Sequence, residues 1–189
     1  ARGQIAAALG LDPAGIAVLG EGAEHILRAP PAPGLHQRLG LTRPYVLAVG
    51  SLARHKNLAV LSASATMLAA RGIDLVLIGD VNRAVYGPGA IALPQPARLV
   101  GRMNDAELRA LYSQAACFVF PSLDETFGLP AVEAMACACP VVAARAGSLP
   151  EVCGTAALLA DPAEPADFAA ALARVLDDPA LAATLDYSP

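Results

Sequence analysis

The chain has 189 residues, of which 56% are apolar and 16% are charged, and its net charge at pH 7 is −4. A disordered chain needs low hydrophobicity and high net charge, so this composition excludes one. The 13 basic residues are scattered singly, which excludes the basic patch that a nucleic-acid partner requires. Apolar runs are interrupted by Pro, Gly or acidic residues before about 18 residues, so no transmembrane segment is expected.

Residues 1–44 and 45–189 differ in pattern. Residues 1–15 are typical of the end of a helix, which Gly10 and Pro13 stop. Residues 28–44 are dense in proline, which joins neither a helix interior nor a central strand, so 20–44 is typical of a connector. We therefore interpret 1–44 as a connector and 45–189 as the main domain.

From Tyr45 onward, short apolar runs alternate with helical patterns. The predicted strands are 45–50, 74–79, 97–101, 116–120, 140–144 and 156–160. The predicted helices are 57–70 with Asn57 as its cap, 104–114 capped by Asn104 and Asp105, 130–136, a short helix after Ser148, and 166–176. Strands that are apolar on both faces require a parallel sheet with helices on both sides. The sequence thus predicts an α/β, Rossmann-like doubly wound fold, whose ligands bind outside the carboxyl ends of the strands.

Two glycine-rich segments are similar to the dinucleotide fingerprint. They are Gly20-Glu21-Gly22 and Gly87-Pro88-Gly89, the latter followed by Ala92. The fingerprint needs a tight strand-to-helix turn that brings the helix N-terminus to the pyrophosphate. Neither segment stands in that context, so we interpret both as accidental.

The loop after the first predicted strand, 50–57, contains Arg54, His55 and Lys56 in succession. Lys56 is the chain's only lysine, and its compact charge suits a phosphate group. The alternative is an ordinary solvated turn. Because the chain uses arginine everywhere else, we favour an anion site at this strand end.

The segment after the fourth predicted strand carries two carboxylates, Glu125 and Glu133, eight residues apart. Pro130 suits the first turn of a helix, so the amides of 127–129 should lie at its N-terminus, where Gly128 permits close approach of a ligand. In the alternative, Glu133 only faces solvent near that N-terminus. Paired carboxylates also occur in glycoside hydrolases, although that chemistry needs a long sugar groove.

The run from Tyr45 to about Pro162 resembles the donor-nucleotide domain of family 4 retaining glycosyltransferases, the glycosyl transferases group 1, which have the two-domain GT-B fold. Glu125 and Glu133 match the family's E-x7-E signature. The resemblance also rests on the following segments: Gly50-Ser51-Leu52, Lys56-Asn57-Leu58, 75–80, 105–112, 121–140, 148–152 and 158–162.

This resemblance implies transfer of a sugar from a nucleotide sugar to an acceptor with retention of configuration. It implies that Lys56 contacts the donor diphosphate and that Glu133 accepts hydrogen bonds from the ribose hydroxyls. It also implies that Glu125 and the backbone of 127–129, which is Phe127, Gly128 and Leu129, meet the donor sugar and phosphates. Amide dipoles and cations commonly replace a divalent metal in this fold, so no metal and no cofactor are expected.

The remaining implied positions follow the first and third strands. Gly50 and Ser51 would border the donor, and the backbone of Arg102 would border the base. Many members carry arginine where this chain has Ser51, and some carry arginine where it has His55. Arg54 would then supply the missing charge and join Lys56 and Glu125 as a catalytic residue.

The chain matches one half of the two-domain fold, so residues 1–44 would also hold a remnant of the boundary with an acceptor domain. We expect it to bind a nucleotide sugar without transferring the sugar. The Ser51–Asn57 pattern is similar to that of bacterial surface-polysaccharide mannosyltransferases, which use GDP-mannose. Alternatives on related scaffolds are a nucleotide-sugar epimerase, a glycogen-synthase-like enzyme, or a non-catalytic nucleotide-binding module.

The four cysteines form no C-x-x-C pair and have no histidine at zinc-ligand spacing. We predict free thiols packed in a reducing compartment. The expected location is the cytoplasm, with peripheral contact to the inner membrane face through the acceptor domain.

Overall fold

The structure is a computed structural model that describes residues 2–17, 22–79 and 93–185. Its centre is a six-stranded sheet in which every pair of neighbouring strands is parallel, in the order β3-β2-β1-β4-β5-β6. The strands are β1 Tyr45–Val49, β2 Asp74–Ile78, β3 Arg98–Gly101, β4 Cys117–Phe120, β5 Val141–Ala144 and β6 Ala157–Ala160. The predicted Rossmann-like fold and its six strands are confirmed.

The order of the strands creates a switch point between β1 and β4. The chain builds outward from β1 to β3 and then returns to place β4 on the other side of β1, with Val46 beside Cys117 and Leu47 beside Phe118. The loops that follow β1 and β4 lie at this switch point, at the carboxyl ends of these strands, where folds of this class have the crevice that binds ligands.

Helices form two layers around the sheet. The helices are α1 Arg2–Leu9, α2 Glu24–Arg28, α3 Leu35–Leu39, α4 Ser62–Ala70, α5 Asp105–Tyr112, α6 Leu129–Ala136, α7 Leu149–Cys153, α8 Pro165–Asp177 and α9 Pro179–Thr184. Short 3-10 helices span Pro13–Gly15, Arg54–Lys56 and Leu58–Leu61. Helices α4 and α8 pack against each other, and α2, α5 and α6 form a second group.

The central strands are buried on both faces. Every residue of β4 and β5 is buried, which is expected when helices cover both sides of a parallel sheet. Phe118 stacks with Phe120 on β4, and Tyr112 from α5 meets the Phe118 ring edge to face. Such aromatic burial fixes the position of α5 relative to β4, and with it the position of Tyr112.

Part of the predicted connector belongs to the same hydrophobic core. Ile26 of α2 and Leu35 of α3 are fully buried in that core. The Arg109 guanidinium donates to the carbonyl oxygens of Leu27 and Ala29 at 2.7 and 2.6 Å. The sequence analysis did not predict these two short helices, because prolines lie close to both of them in the chain. The inter-domain role of 1–44 stays a prediction.

The predicted cap at Asn57 is wrong. A 3-10 helix precedes α4, and Asn57 has φ 52° and makes no capping bond. A capping residue needs an extended backbone, which Asn57 lacks. Its amide nitrogen instead donates to the carbonyl oxygens of Pro121 and Pro162 at 3.2 and 2.8 Å. The other predicted cap is confirmed, because Asn104 forms a reciprocal capping box with Glu107 at the start of α5.

All four cysteines are free thiols, as predicted, and Cys117, Cys139 and Cys153 are buried. Burial raises the pKa of Cys139 to about 12 and that of Cys153 to about 11. These thiols therefore stay protonated at neutral pH and pack as small apolar groups. The reducing compartment stays a prediction.

Within the described ranges, no helix is both long and apolar enough to cross a bilayer. The second fingerprint-like segment, the Gly20-Glu21 part of the first and Asp80 of the family resemblance lie outside the described residues.

Candidate functional site

Two loops meet at the switch point, the one after β1 (50–57) and the one after β4 (121–128). The backbone amide of Leu123 donates to the carbonyl oxygen of His55 at 2.7 Å, and the Ser122 hydroxyl lies 3.0 Å from the same oxygen. The bond from Asn57 to the carbonyl oxygen of Pro121 adds a third link. The two loops, 64 to 69 residues apart in the chain, thus form one rigid edge of the crevice.

Lys56 and Glu125 meet at this edge. The Lys56 ammonium lies 2.5 Å from Glu125 Oε1, and their side chains are only 21% and 14% exposed. The Ser122 hydroxyl lies 2.7 Å from the same Oε1, and the Lys56 ammonium lies 5.5 Å from the centre of the Phe120 ring. The solitary lysine is therefore held between a carboxylate and an aromatic face, with its charge at the carboxyl end of the sheet.

The loop after β5 supports Glu125 from behind. The Ser148 hydroxyl donates to the Glu125 carbonyl oxygen at 2.9 Å. Gly147 has φ 57°, and a Cβ there would approach the Glu125 backbone nitrogen to 3.0 Å. This close approach fixes the backbone of Glu125 and hence the direction of its side chain.

Helix α6 directs its N-terminus toward the same loop. Gly128 is the residue before the helix, with φ 89° and no side-chain cap. Pro130 has no amide hydrogen and the Ala131 amide donates to the Gly128 carbonyl oxygen at 2.9 Å, so the amides of Gly128 and Leu129 are those that can face an anion. A Cβ on Gly128 would lie 2.5 Å from Leu149 Cδ2. The φ of Gly128 and the packing of Leu149 therefore favour glycine here, and the close approach of a ligand that the sequence suggested stays a prediction.

Glu133 is a buried carboxylate with two donors. It is 7% exposed, so the alternative of a solvent-facing Glu133 is wrong. Its Oε1 lies 2.8 Å from His25 Nε2, and its Oε2 accepts from the Tyr112 hydroxyl at 3.1 Å. Burial and the neighbouring Glu133 raise the pKa of Tyr112 well above its usual range, so the phenol keeps the proton that it donates.

The sequence did not indicate that His25 belongs to the site. It lies 108 residues from Glu133 in the chain, and no spacing connects the two. A histidine on a five-residue helix offers no pattern that predicts such a partner.

The other predicted residues lie around the crevice. The Gly50 amide donates to the Ile78 carbonyl oxygen at 2.9 Å, and a side chain on Gly79 would collide with the Gly50 carbonyl oxygen. The Ser51 hydroxyl weakly accepts from the Ala53 amide at 3.4 Å. Arg54 and Arg102 are exposed after β1 and β3. All of these follow carboxyl ends of strands, and their roles stay predictions.

A second polar region lies at the amino ends of β2 and β3. A cavity of about 140 Å³ there is bordered by Arg43, Asp74 and Arg98. The Arg98 guanidinium donates to the carbonyl oxygens of Leu39 and Gly40 at 2.7 and 2.9 Å and lies 3.3 Å from Asp74 Oδ2. Its charge is thus used to bind the chain before β1 to the sheet. This end of a parallel sheet is not where such folds bind ligands.

Among residues 2–17, 22–79 and 93–185, no group of three His, Cys, Asp or Glu side chains could hold a metal ion. The expectation that the site works without a metal stays a prediction.

The parallel sheet, with the Lys56–Glu125 pair and the N-terminus of α6 beside its switch point, is a doubly wound α/β domain, a fold class that binds ligands at this position. The family model described as glycosyl transferases group 1 matches residues 43–178. The chain belongs to this family, and its fold is one half of a GT-B fold, as the E-x7-E resemblance predicted.

Three relatives illustrate the similarity. The chain is 46% identical over 81 residues to O-antigen chain mannosyltransferase B of Escherichia coli. This alignment covers 43% of this chain and 21% of that protein. It is 37% identical over 172 residues to D-inositol 3-phosphate glycosyltransferase of Salinispora arenicola. This alignment covers 79% of this chain and 37% of that protein. The structure of HepE from Anabaena in complex with UDP-glucose superposes with a TM-score of 0.76 at 24% identity, over 95% of this chain and 52% of that one. The chain thus spans about half of that structure.

Proposed function

We propose that this chain binds the nucleoside diphosphate of a nucleotide-sugar donor, as the donor half of a retaining glycosyltransferase. The observation that carries the proposal is the contact between Lys56 and Glu125 at the switch point. The proposal is also supported by the position of the chain's one lysine, of Glu125 and of an uncapped helix N-terminus at the sheet end that binds ligands in this fold class.

The proposed chemistry follows from where charge develops during transfer. The leaving group is a nucleoside diphosphate, so its developing negative charge needs cations and amide dipoles. The Lys56 ammonium and the amides around Gly128 supply both. Glu133 accepts hydrogen bonds from the ribose, and Glu125 lies beside the donor sugar.

The Lys56–Glu125 ion pair also implies an exchange of partners. Without a donor, the two charges neutralise each other. A bound diphosphate attracts the ammonium, which releases Glu125 Oε1 to accept a hydrogen bond from a sugar hydroxyl. The Ser122 hydroxyl stays beside that oxygen and limits its movement.

GDP-mannose is the donor that we propose, for synthesis of a bacterial surface polysaccharide in the cytoplasm. The similarity to an O-antigen mannosyltransferase supports this choice. The fold neighbour in complex with UDP-glucose makes UDP-sugars the necessary comparison. We further propose that transfer needs an acceptor domain, so the isolated chain binds its donor without transferring the sugar.

Isothermal titration calorimetry tests the proposal. The chain is titrated with GDP-mannose, UDP-glucose, GDP, UDP, guanosine and uridine. We expect one diphosphate series to bind and its nucleoside to bind much more weakly, because the diphosphate contacts Lys56 and the helix N-terminus. The absence of binding by every diphosphate would refute the proposal.

A separate assay addresses the acceptor domain. Incubation with the bound donor should release no sugar to candidate acceptors and almost none to water. Rapid turnover by the isolated chain would contradict the need for a second domain while leaving the donor-binding proposal in place.

A further inference from the structure

We infer that His25 is a positioning residue that orients the Glu133 carboxylate toward the ribose of a bound nucleotide. This inference rests on the proposed function, because it concerns the carboxylate to which we assign the ribose. Its basis is the arrangement of three side chains, in which His25 and Tyr112 each contact a different oxygen of Glu133.

The number of hydrogen bonds that Glu133 can accept supports this inference. An ionised carboxylate has about four lone-pair sites on its two oxygens. His25 Nε2 occupies a site on Oε1 and the Tyr112 hydroxyl occupies a site on Oε2. One site on each oxygen is left, and a ribose presents two neighbouring hydroxyl donors. The internal donors and the ribose together would therefore saturate the carboxylate.

The position of His25 is fixed by the packing of α2. The next residue of this helix, Ile26, is fully buried in the hydrophobic core. Arg109 donates to the carbonyl oxygens of Leu27 and Ala29 at the other end of this short helix. An anchored α2 can hold the imidazole against Glu133 without a ligand. The contact also determines the proton position, because an ionised Glu133 only accepts and His25 Nε2 must therefore carry a hydrogen.

His25 stands at the open side of the cluster. Its side chain is 35% exposed, whereas that of Glu133 is 10% exposed and Tyr112 is fully buried. Tyr112 thus holds Glu133 from the interior, and His25 holds it from the solvent side. Loss of His25 would free Oε1 to turn, which would weaken the hydrogen bonds to the ribose and leave the diphosphate contacts intact.

The test compares ribonucleotides with nucleotides that lack both ribose hydroxyls. Dissociation constants of GDP and UDP, and of 2′,3′-dideoxy-GDP and 2′,3′-dideoxy-UDP, are measured for the native chain, His25→Leu and His25→Gln. In the series that binds, we expect His25→Leu to weaken the ribonucleotide about tenfold, the scale of one lost hydrogen bond to a charged group, and to leave the dideoxy compound unchanged. His25→Gln keeps a hydrogen-bond donor at a similar distance. It should restore most of the native ratio between the dissociation constants of the dideoxynucleotide and the ribonucleotide.

His36 provides the matched control. It is a second part-buried histidine of the same segment, and its Nε2 lies 2.9 Å from the hydroxyl of Tyr45. His36→Leu should lower thermal stability without changing the preference for ribonucleotide over dideoxynucleotide. Binding of the dideoxy compound also confirms that each variant has folded.

Two results would overturn the inference. If His25→Leu kept the native ratio while Glu133→Gln abolished it, Glu133 would bind the ribose without help from His25, and the proposed function would stand. If His25→Leu strengthened the binding of the ribonucleotide, His25 would compete with the ribose for Glu133 instead of orienting Glu133 toward it. A native chain that binds no diphosphate would refute the proposed function itself, which is a distinct outcome.

Discussion

The two ends of the sheet use charged residues in opposite ways. At the amino ends of β2 and β3, Arg98 directs its guanidinium toward two backbone carbonyls and Asp74. At the carboxyl ends of β1 and β4, Lys56 and Glu125 contact each other from two different loops. The first arrangement holds strands and a connecting segment in place. The second joins two loops through one ion pair, with which an incoming diphosphate would exchange under the proposed function.

The comparison also shows that a cavity alone does not identify the site. The cavity of about 140 Å³ lies at the amino end, beside Arg43 and Arg98. Its charged groups are engaged by backbone and by Asp74. The candidate site at the other end is indicated instead by its charged groups and by the reversal of strand order between β1 and β4.

The largest expected effect concerns the two glycines at the ends of β2. Gly79, at the carboxyl end, has no room for a Cβ beside the Gly50 carbonyl oxygen, whereas Gly72, before the strand, has open space around it. Gly79→Ala should lower the free energy of unfolding by about 3 kcal/mol or more, the upper range for overpacking. Gly72→Ala should cost only about 1–2 kcal/mol, the strain of a positive φ.

Urea denaturation of both variants measures these costs. Equal losses would show that the carboxyl end of β2 is not packed more tightly than its amino end. A Gly79→Ala chain that binds nucleotide as the native chain does would contradict the close contact between the ends of β1 and β2.

The next effect contrasts two cations. Lys56→Ala should weaken the binding of nucleoside diphosphates at least tenfold, because a hydrogen bond to a charged group contributes about 1.5–3 kcal/mol. Nucleosides, which lack phosphates, should bind as before. Arg43→Ala removes a cation at the amino end that is 62% exposed and lies 3.7 Å from Asp74 Oδ1, and it should leave both affinities unchanged.

Calorimetry with GDP, UDP and their nucleosides distinguishes these cases. Equal weakening of diphosphate and nucleoside by Lys56→Ala would show that Lys56 acts on folding or on the base. A loss of diphosphate affinity in Arg43→Ala would move the anion site to the amino end.

A smaller effect is expected at Asn57, which connects the loops of the crevice. Asn57→Gly keeps a residue that tolerates φ 52° but removes the bonds to Pro121 and Pro162. We expect a loss of about 1–2 kcal/mol in the free energy of unfolding, since each such bond contributes about 1 kcal/mol. Asn57→Asp places a carboxylate oxygen, which can only accept, beside the two carbonyl oxygens. It should therefore lower stability, measured by thermal melting, at least as much as Asn57→Gly does. A neutral Asn57→Gly would refute a structural role for these two bonds.

The smallest effect should be stabilising and lies on the amino side of β5. Ala138 is exposed in the turn before this strand and has φ 56°, which is strained for alanine. Ala138→Gly removes that strain and should raise stability by a few tenths to about 1 kcal/mol after its entropy cost. Ala136→Gly, two residues earlier in α6, should instead destabilise by about 0.5–1 kcal/mol. The two denaturation midpoints should therefore move in opposite directions, and a shift in the same direction would contradict the strain at Ala138.

The site was predictable where its residues belong to one loop or one helix start. Glu125, Gly128 and Glu133 lie within nine residues, so the sequence placed them together. Helix capping at Asn104 was predictable for the same reason. Asn57 was misinterpreted because its partners, Pro121 and Pro162, are 64 and 105 residues away.

The sequence by itself determined the alternation of strands and helices, because apolar runs and helical spacing are properties of neighbouring residues. It also determined which polar groups follow the carboxyl ends of strands. Only the tertiary structure decided that β1 and β4 are neighbours, which brings Lys56 to Glu125. It alone brought His25 to Glu133, since contacts between distant segments depend on how helices pack across the whole sheet.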